Sequence, residues 1–135
     1  MKHIVKENGM EKYFHIESAG IGSWHTGQLP DSRMRKHGTS HGYKFDSHAR
    51  QISRNDFLLF DRIIVMDNDN LRAVMSMAEN STDREKVMCM ADFLTSHKSH
   101  KTIPDPYYGT DKDFELVIEL LEDACNGLFD KLTKQ

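Results

Sequence analysis

One short segment combines a carboxyl group, two prolines and two aromatic rings: Ile103-Pro104-Asp105-Pro106-Tyr107-Tyr108-Gly109. Pro106 pushes Asp105 away from helical geometry, so the carboxyl group is expected on a stiff loop. A carboxyl group held in this way can protonate a leaving oxygen, and the rings beside it can wall a flat substrate. The alternative is a proline-rich surface turn with packed tyrosines, and the residues alone leave both interpretations open.

Two histidines and two cysteines are further candidates for chemistry. His37 and His41 are four residues apart and would share a helix face, but no third ligand stands nearby. We therefore predict two solvated histidines rather than a metal site. Cys89 and Cys125 each lie in an apolar pattern, which predicts inert core thiols, and two cysteines cannot form a disulfide framework.

Four segments resemble, in order and spacing, segments of the low-molecular-weight protein-tyrosine phosphatases. Residues 105–109, followed by Asp113-Phe114, are similar to the general-acid loop of that family. The other matches are Ser18-Ala19-Gly20 with Trp24-His25, Ala49-Arg50-Gln51 with Asp56-Phe57 and Phe60-Asp61, and Met66-Asp67 with Asn70-Leu71. The resemblance runs from Met1 to the end of the chain, which is therefore identified as a member of the family.

The resemblance implies hydrolysis of a phosphomonoester through a cysteinyl-phosphate intermediate, on a phosphotyrosine-containing protein or a small aryl phosphate. Asp105 would protonate the tyrosine oxygen and then activate water as a base. Trp24, Tyr107 and Tyr108 would line the cleft for the aryl ring, and Ser18 would support the phosphate loop from behind. No cofactor or metal is implied. Lesser alternatives are a protein-arginine phosphatase and an arsenate reductase, which needs cysteines able to pass on a disulfide.

The chain departs from the family at the nucleophile, because it contains no Cys-x5-Arg motif. The sixth residue after Cys89 is Thr95, and the sixth after Cys125 is Lys131. A thiolate that attacks phosphorus needs backbone N–H groups and a guanidinium around it. We therefore expect an N-terminally truncated domain, without its first strand and phosphate loop and inactive as given. Alternatives are a non-catalytic binding or regulatory module, and a fold rebuilt by strand exchange between chains.

The elements that must position these residues follow from the sequence pattern. Segments 13–17, 62–66 and 86–90 have the composition of strands. Helices are predicted over residues 1–8, 31–41, 53–60, 68–78 and 111–132, from cap residues and from the apolar spacing of the last segment. Their alternation predicts an α/β fold with a mainly parallel sheet. The resemblance adds a three-layer sandwich whose doubly wound sheet has four strands, here expected to lack its first, central strand.

The composition limits the other classes of function. The 135 residues, 38% hydrophobic and 29% charged, fit a single domain spanning 1–135. A net charge of −3 gives no strong attraction for nucleic acid or an anionic membrane, and no apolar run approaches the ~20 residues of a membrane span. No signal-peptide pattern is present, so we predict a cytoplasmic protein. A missing central strand would expose sheet edges, so self-association or strand exchange is also expected.

Overall fold

The computed structural model describes residues 1–22, 27–45, 48–107 and 109–134. Its helices are α1 (Lys2–Glu7), α2 (Ser32–Ser40), α3 (Asp56–Leu59), α4 (Asn68–Met77), α5 (Ser81–Lys86) and α6 (Asp111–Thr133), and its strands are β1 (Ile63–Val65) and β2 (Val87–Cys89). Short 3-10 helices cover Glu11–Tyr13 and Met90–Phe93. Five of these helices and both strands lie where the sequence predicts them, within a few residues at each end.

Side-chain caps and glycines explain where several helices begin and end. The Asp31 carboxylate accepts a hydrogen bond from the Arg33 amide at 2.8 Å, which confirms Asp31 as the N-cap of α2. Gly42 follows α2 with a φ of 83°, a left-handed conformation that glycine adopts without steric penalty. Asn80 caps α5, which the sequence pattern did not predict because its six residues carry no apolar repeat.

The two strands pair in parallel, with Ile64 opposite Met88. Because successive residues of a strand face opposite sides, this short sheet supplies two separate cores. Val65 packs with Phe57 and Val74, which belong to α3 and α4. Ile64 and Met88 pack against the other core, most of whose buried residues come from α6. Helices therefore cover both faces of a parallel sheet.

The long helix α6 organises the larger core, as its apolar spacing predicts. Its buried side chains include Leu120, Ala124 and Leu128, each at most 4% exposed. At Gly127 the backbone carbonyl of Phe93 would lie 2.0 Å from an added Cβ, so the 3-10 helix packs directly on the backbone of α6. No helix among the described residues is long and apolar enough to span a bilayer.

The predicted strand at 13–17 is wrong. A 3-10 helix ends where this strand should begin, and the Phe14 amide still donates to the Glu11 carbonyl of that helix at 3.4 Å. Residues 15–19 share no backbone hydrogen bond with another described residue. The residues at positions 14 to 17 nevertheless alternate between half-buried and exposed, as they would in the predicted strand. A strand needs a neighbour to complete its ladder, and the described residues offer this region only one parallel bridge, between Gly20 and Gln51. The described sheet therefore has two strands.

Candidate functional site

The loop that carries Asp105 is tied to the sheet at its start. The Ile103 amide donates to the Met66 carbonyl at 2.8 Å, just beyond β1, and the Ile103 side chain is buried. Asp105 follows two residues later and is exposed. Its Oδ1 accepts a hydrogen bond from the Tyr107 amide at 3.0 Å, an Asx turn that orients the carboxylate. The carboxyl group predicted to do acid chemistry therefore stands on a constrained loop.

The loop is equally constrained at its end, where it enters α6. The Gly109 amide donates to the Pro106 carbonyl at 2.7 Å and closes a second turn. The Thr110 amide then donates to Asp113 Oδ2 at 2.8 Å, the carboxylate half of a capping box. An added Cβ at Gly109 would lie 2.5 Å from Asp113 Oδ2 and 2.7 Å from its Cβ. This close approach requires glycine at position 109.

The other residues predicted for the site are Ser18, Trp24, Tyr107 and Tyr108. Tyr107 lies on the same loop with its side chain 49% exposed. Ser18 is exposed in the irregular segment that precedes Gly20, and no hydrogen bond between described residues joins it to the 103–110 loop. Trp24 and Tyr108 lie outside the described residues. The structure thus brings Asp105 and Tyr107 together on one loop, where the Tyr107 amide donates to the Asp105 carboxylate.

An ion pair anchors the segment that contains Ser18. The Arg50 guanidinium donates to both oxygens of Asp56, at 3.0 and 3.1 Å, and Asp56 also accepts from the Ser53 amide at 2.8 Å. Burial opposes ionisation of Asp56, but Arg50 and the Ser53 amide outweigh it and lower the pKa of this carboxyl. The Arg50 carbonyl in turn accepts from the Gly20 amide at 2.8 Å. The Arg50-Gln51 and Asp56 signature is therefore structural support for the segment.

The prediction of two solvated histidines is confirmed only for His41, which is exposed, whereas His37 is half-buried and both rings contact α6. His37 Nδ1 contacts Glu115 Oε1, and His41 Nε2 lies 2.5 Å from Glu115 Oε2, so both rings bind one carboxylate of α6. His37 also lies 3.1 Å from Asp111, and its side chain is only 13% exposed. The hydrogen bonds to Glu115, above all, raise the pKa of both histidines. We call His37, His41 and Glu115 the histidine clasp.

The clasp has no metal geometry. Within the described ranges, no group of three His, Cys, Asp or Glu side chains is arranged to hold a metal ion. Its chemistry is that of an ion pair between two helices, which depends on the protonation of the two imidazoles.

The two cysteines lie in different cores. Cys89 packs with the Phe57 and Val74 core, whereas Cys125 belongs to the α6 core on the other face of the sheet. Burial raises the pKa of the Cys89 thiol, the opposite of what a nucleophile needs.

Sequence reasoning missed Arg33 as a residue that contacts the 103–110 loop. Its guanidinium donates to the Tyr107 carbonyl at 2.6 Å, across 74 positions of sequence. Arginine two residues after a helix cap carries no signal for this contact, because the acceptor is a backbone carbonyl. Nothing short of the tertiary structure could have found it.

Comparisons with known proteins agree on one family. The family model described as "Low molecular weight phosphotyrosine protein phosphatase" matches residues 1–135. A low molecular weight protein-tyrosine-phosphatase of Streptomyces coelicolor is 32% identical over 132 residues, covering 97% of this chain and 80% of the relative.

Solved structures give the same result. The crystal structure of a protein tyrosine phosphatase from Entamoeba histolytica superimposes with a TM-score of 0.94 and 41% identity, over 98% of this chain and 84% of that one. A Drosophila arginine phosphatase has a TM-score of 0.88 and 27% identity, over 98% of this chain and 85% of that one.

Proposed function

This chain belongs to the low molecular weight phosphotyrosine protein phosphatase family, and on that premise we propose that it carries the general acid of a phosphomonoester hydrolase acting on phosphotyrosine. The observation that supports the proposal best is the Asp105 carboxylate, exposed on a loop that is tied to both the sheet and α6. A general acid must be held within reach of the leaving oxygen, and a loop with fixed ends provides that.

The proposed chemistry has two steps. In the first, a cysteine thiolate attacks phosphorus, an S–P bond forms and the P–O bond to the aryl group breaks as the Asp105 carboxyl gives its proton to the aryl oxygen. In the second, the Asp105 carboxylate takes a proton from water, whose oxygen attacks phosphorus and releases phosphate and the thiolate. Asp105 thus returns to its protonated form, and no cofactor or co-reactant is consumed.

The proposal assigns the nucleophile to residues other than these 135. No Cys-x5-Arg occurs in the sequence, and neither cysteine is suited to attack phosphorus, since Cys125 is buried and burial raises the pKa of Cys89. We therefore propose that the 135 residues alone form a domain without the family's first strand and phosphate loop, and are inactive by themselves. Ser18 would support that phosphate loop, and Trp24, Tyr107 and Tyr108 would line the cleft for the aryl ring.

The test compares two proteins. The 135-residue chain should not turn over p-nitrophenyl phosphate, whereas the full gene product that contains it, if it encodes Cys-x5-Arg, should. In the active protein, Asp105→Asn should lower kcat/KM for phenyl phosphate by roughly 10²- to 10⁴-fold, the usual contribution of a general acid. Asp130→Asn, an exposed carboxylate at the far end of α6, is the matched control and should change it little.

Three outcomes would contradict the proposal. Turnover by the 135-residue chain that Asp105→Asn abolishes would reveal a different nucleophile. A gene product without Cys-x5-Arg and without turnover would favour a non-catalytic binding module. Preference for phosphoarginine over phosphotyrosine would assign the arginine phosphatase chemistry, in keeping with the Drosophila structure, which is less similar than the Entamoeba one.

A further inference from the structure

The guanidinium of Arg33 lies against the backbone of the loop that carries Asp105. Its Nη2 donates to the Tyr107 carbonyl at 2.6 Å, and its Nη1 lies 3.5 Å from the Gly109 carbonyl. Arginine is suited to this task because its planar fork can donate to two acceptors at once. One side chain of α2 thus reaches both turns of the loop.

Arg33 is itself held in place before it meets the loop. Its Nε and Nη2 donate to the two oxygens of Asp31, at 3.2 and 3.1 Å, and Asp31 is fixed as the N-cap of α2. The guanidinium also lies over the Phe114 ring of α6, 4.6 Å from its centre. The donor is therefore oriented in advance, which reduces the entropy lost on binding the loop.

The loop needs such a contact because packing leaves its inner side incomplete. A surface pocket of about 180 Å³ lies against the loop and α6, and its lining includes Pro104, Asp105 and Pro106 of the loop and Leu116 and Val117 of the helix. Apolar contacts across this space are fewer, so packing restrains the backbone less here. On the two flanks of Tyr107 the hydrogen bonds that restrain it come from Asp105 and Arg33.

These two hydrogen bonds act on the same residue. The Tyr107 amide donates to Asp105 Oδ1, and the Tyr107 carbonyl accepts from Arg33. Holding the carbonyl fixes the orientation of Tyr107, and hence the amide that orients the Asp105 carboxylate. Among the described residues, Asp105 Oδ1 has this amide as its hydrogen-bond donor and Oδ2 has none.

We propose that Arg33 is a positioning residue, which fixes the Asp105 loop so that its carboxyl group is aligned for proton transfer to the leaving oxygen. The proposal rests on the proposed function of Asp105. Arg35 of the same helix offers the matched control. It is exposed, and its side chain makes no hydrogen bond or ion pair with a described residue.

The first experiment uses the full gene product and two substrates that differ in leaving group. Phenyl phosphate releases a poor leaving group that needs the acid, whereas p-nitrophenyl phosphate needs it much less. Arg33→Ala should lower kcat/KM for phenyl phosphate by roughly 10- to 100-fold and that for p-nitrophenyl phosphate by about twofold. Arg33→Lys, which keeps one donor, should restore part of the loss, and Arg35→Ala should change neither value. Equal losses on both substrates would overturn the proposal.

The second experiment uses the 135-residue chain and needs no catalysis. Amide hydrogen exchange at Tyr107 and Gly109, followed by NMR, should accelerate by roughly tenfold in Arg33→Ala and stay unchanged in Arg35→Ala. Unchanged exchange in Arg33→Ala would overturn the proposal even if activity fell. Faster exchange in a gene product that hydrolyses no aryl phosphate would show that Arg33 holds the loop, and would reject the acid role for both Arg33 and Asp105.

Discussion

Contacts with neighbouring residues, more than burial, orient the Asp105 carboxylate. Its carboxylate is exposed, yet the Tyr107 amide holds one oxygen and the turn closed by the Gly109 amide follows directly. The tight packing of Gly109 against Asp113 joins this turn to the start of α6. Single backbone and side-chain contacts therefore decide where the Asp105 carboxylate points.

A substitution at Gly109 tests this dependence. An added Cβ would lie 2.7 Å from the Asp113 Cβ, so Asp113 must move and its bond to the Thr110 amide is lost. We expect Gly109→Ala to lower the free energy of unfolding by about 1–2 kcal/mol, the usual cost of a lost helix cap. Urea denaturation of the 135-residue chain measures this effect.

Gly20 provides the control for that measurement. An added Cβ at Gly20 meets nothing closer than 3.8 Å, so Gly20→Ala should change the free energy of unfolding by no more than about 0.5 kcal/mol. Equal stabilities for Gly109→Ala and the unaltered chain would show that the loop can relax around the new methyl group.

Among the helices and strands, α2 connects the 103–110 loop to the long helix α6. Its first turn carries Arg33, which contacts the loop. His37 in its last turn and His41 directly after it bind Glu115 of α6. Gly38 between them packs closely on Phe45, since an added Cβ would lie 2.5 Å from that ring and the ring would have to move. One short helix thus makes contacts at both ends, and docking of α2 on α6 sets the position of Arg33.

The histidine clasp makes this docking dependent on pH. The pKa of each histidine is raised in the folded chain above about 6.5, its value in an unfolded one. Protonation is then favoured by folding, so the clasp contributes its full stability below pH ~6.5 and loses it as the pH rises through the raised values. The pKa of Glu115 is lowered, so its contribution is lost only at acid pH, below the carboxylate's unfolded value.

We expect the free energy of unfolding to fall between pH ~6.5 and the raised pKa values of the clasp, and Glu115→Gln to flatten that fall. Denaturant titrations at several pH values between 6 and 9 measure both slopes.

Other charged or titratable groups face the clasp and its surroundings: Asp111, Glu119 and Glu122 of α6, His3 and Glu7 of α1, and Tyr43. Glu119→Gln, an exposed carboxylate without a hydrogen bond to either histidine, is the control. Identical slopes in the two variants would contradict the assignment to Glu115.

In the whole molecule, the described sheet is small compared with the helices that pack against it. It has two strands, each paired on one edge only among the described residues, while residues 14–19 run without a ladder partner. Unpaired strand edges are templates for pairing with another chain. The cores on the two faces are nevertheless well filled, with Phe57, Phe114 and Leu120 at most 1% exposed.

We therefore expect the isolated 135-residue chain to self-associate through its sheet edges. Sedimentation velocity over a range of concentrations should show dimers or larger species, and their fraction should rise with the protein concentration. The full gene product, if it supplies a further strand, should sediment as a smaller, discrete species. A monomeric 135-residue chain with a cooperative melt would contradict this prediction and would show that the edges are protected.

Much of the fold could be predicted because its signals are local. Asp31 caps α2 through the amide two residues on, Gly42 ends that helix through its own backbone freedom, and the apolar spacing of 111–132 marks the buried face of α6. The stiff turn at Asp105 is local too, since Pro106 and the Asx turn of Asp105 lie within three residues. In such cases one stretch of chain contains both the group and its partner.

Other contacts could not be predicted from local sequence, because the two partners are far apart in the chain or because the partner is a backbone group. Arg33 binds a backbone carbonyl 74 positions away, and His37 and His41 find Glu115 across a helix interface. The 13–17 pattern is that of a strand, but a strand exists only where a neighbouring backbone completes its hydrogen bonds. Residue types and local spacing were enough to mark Asp105 as a candidate for acid chemistry and to predict that its loop is stiff. Which groups meet depends on how the helices pack around the sheet, because long-range packing, rather than local propensity, brings them within bonding distance.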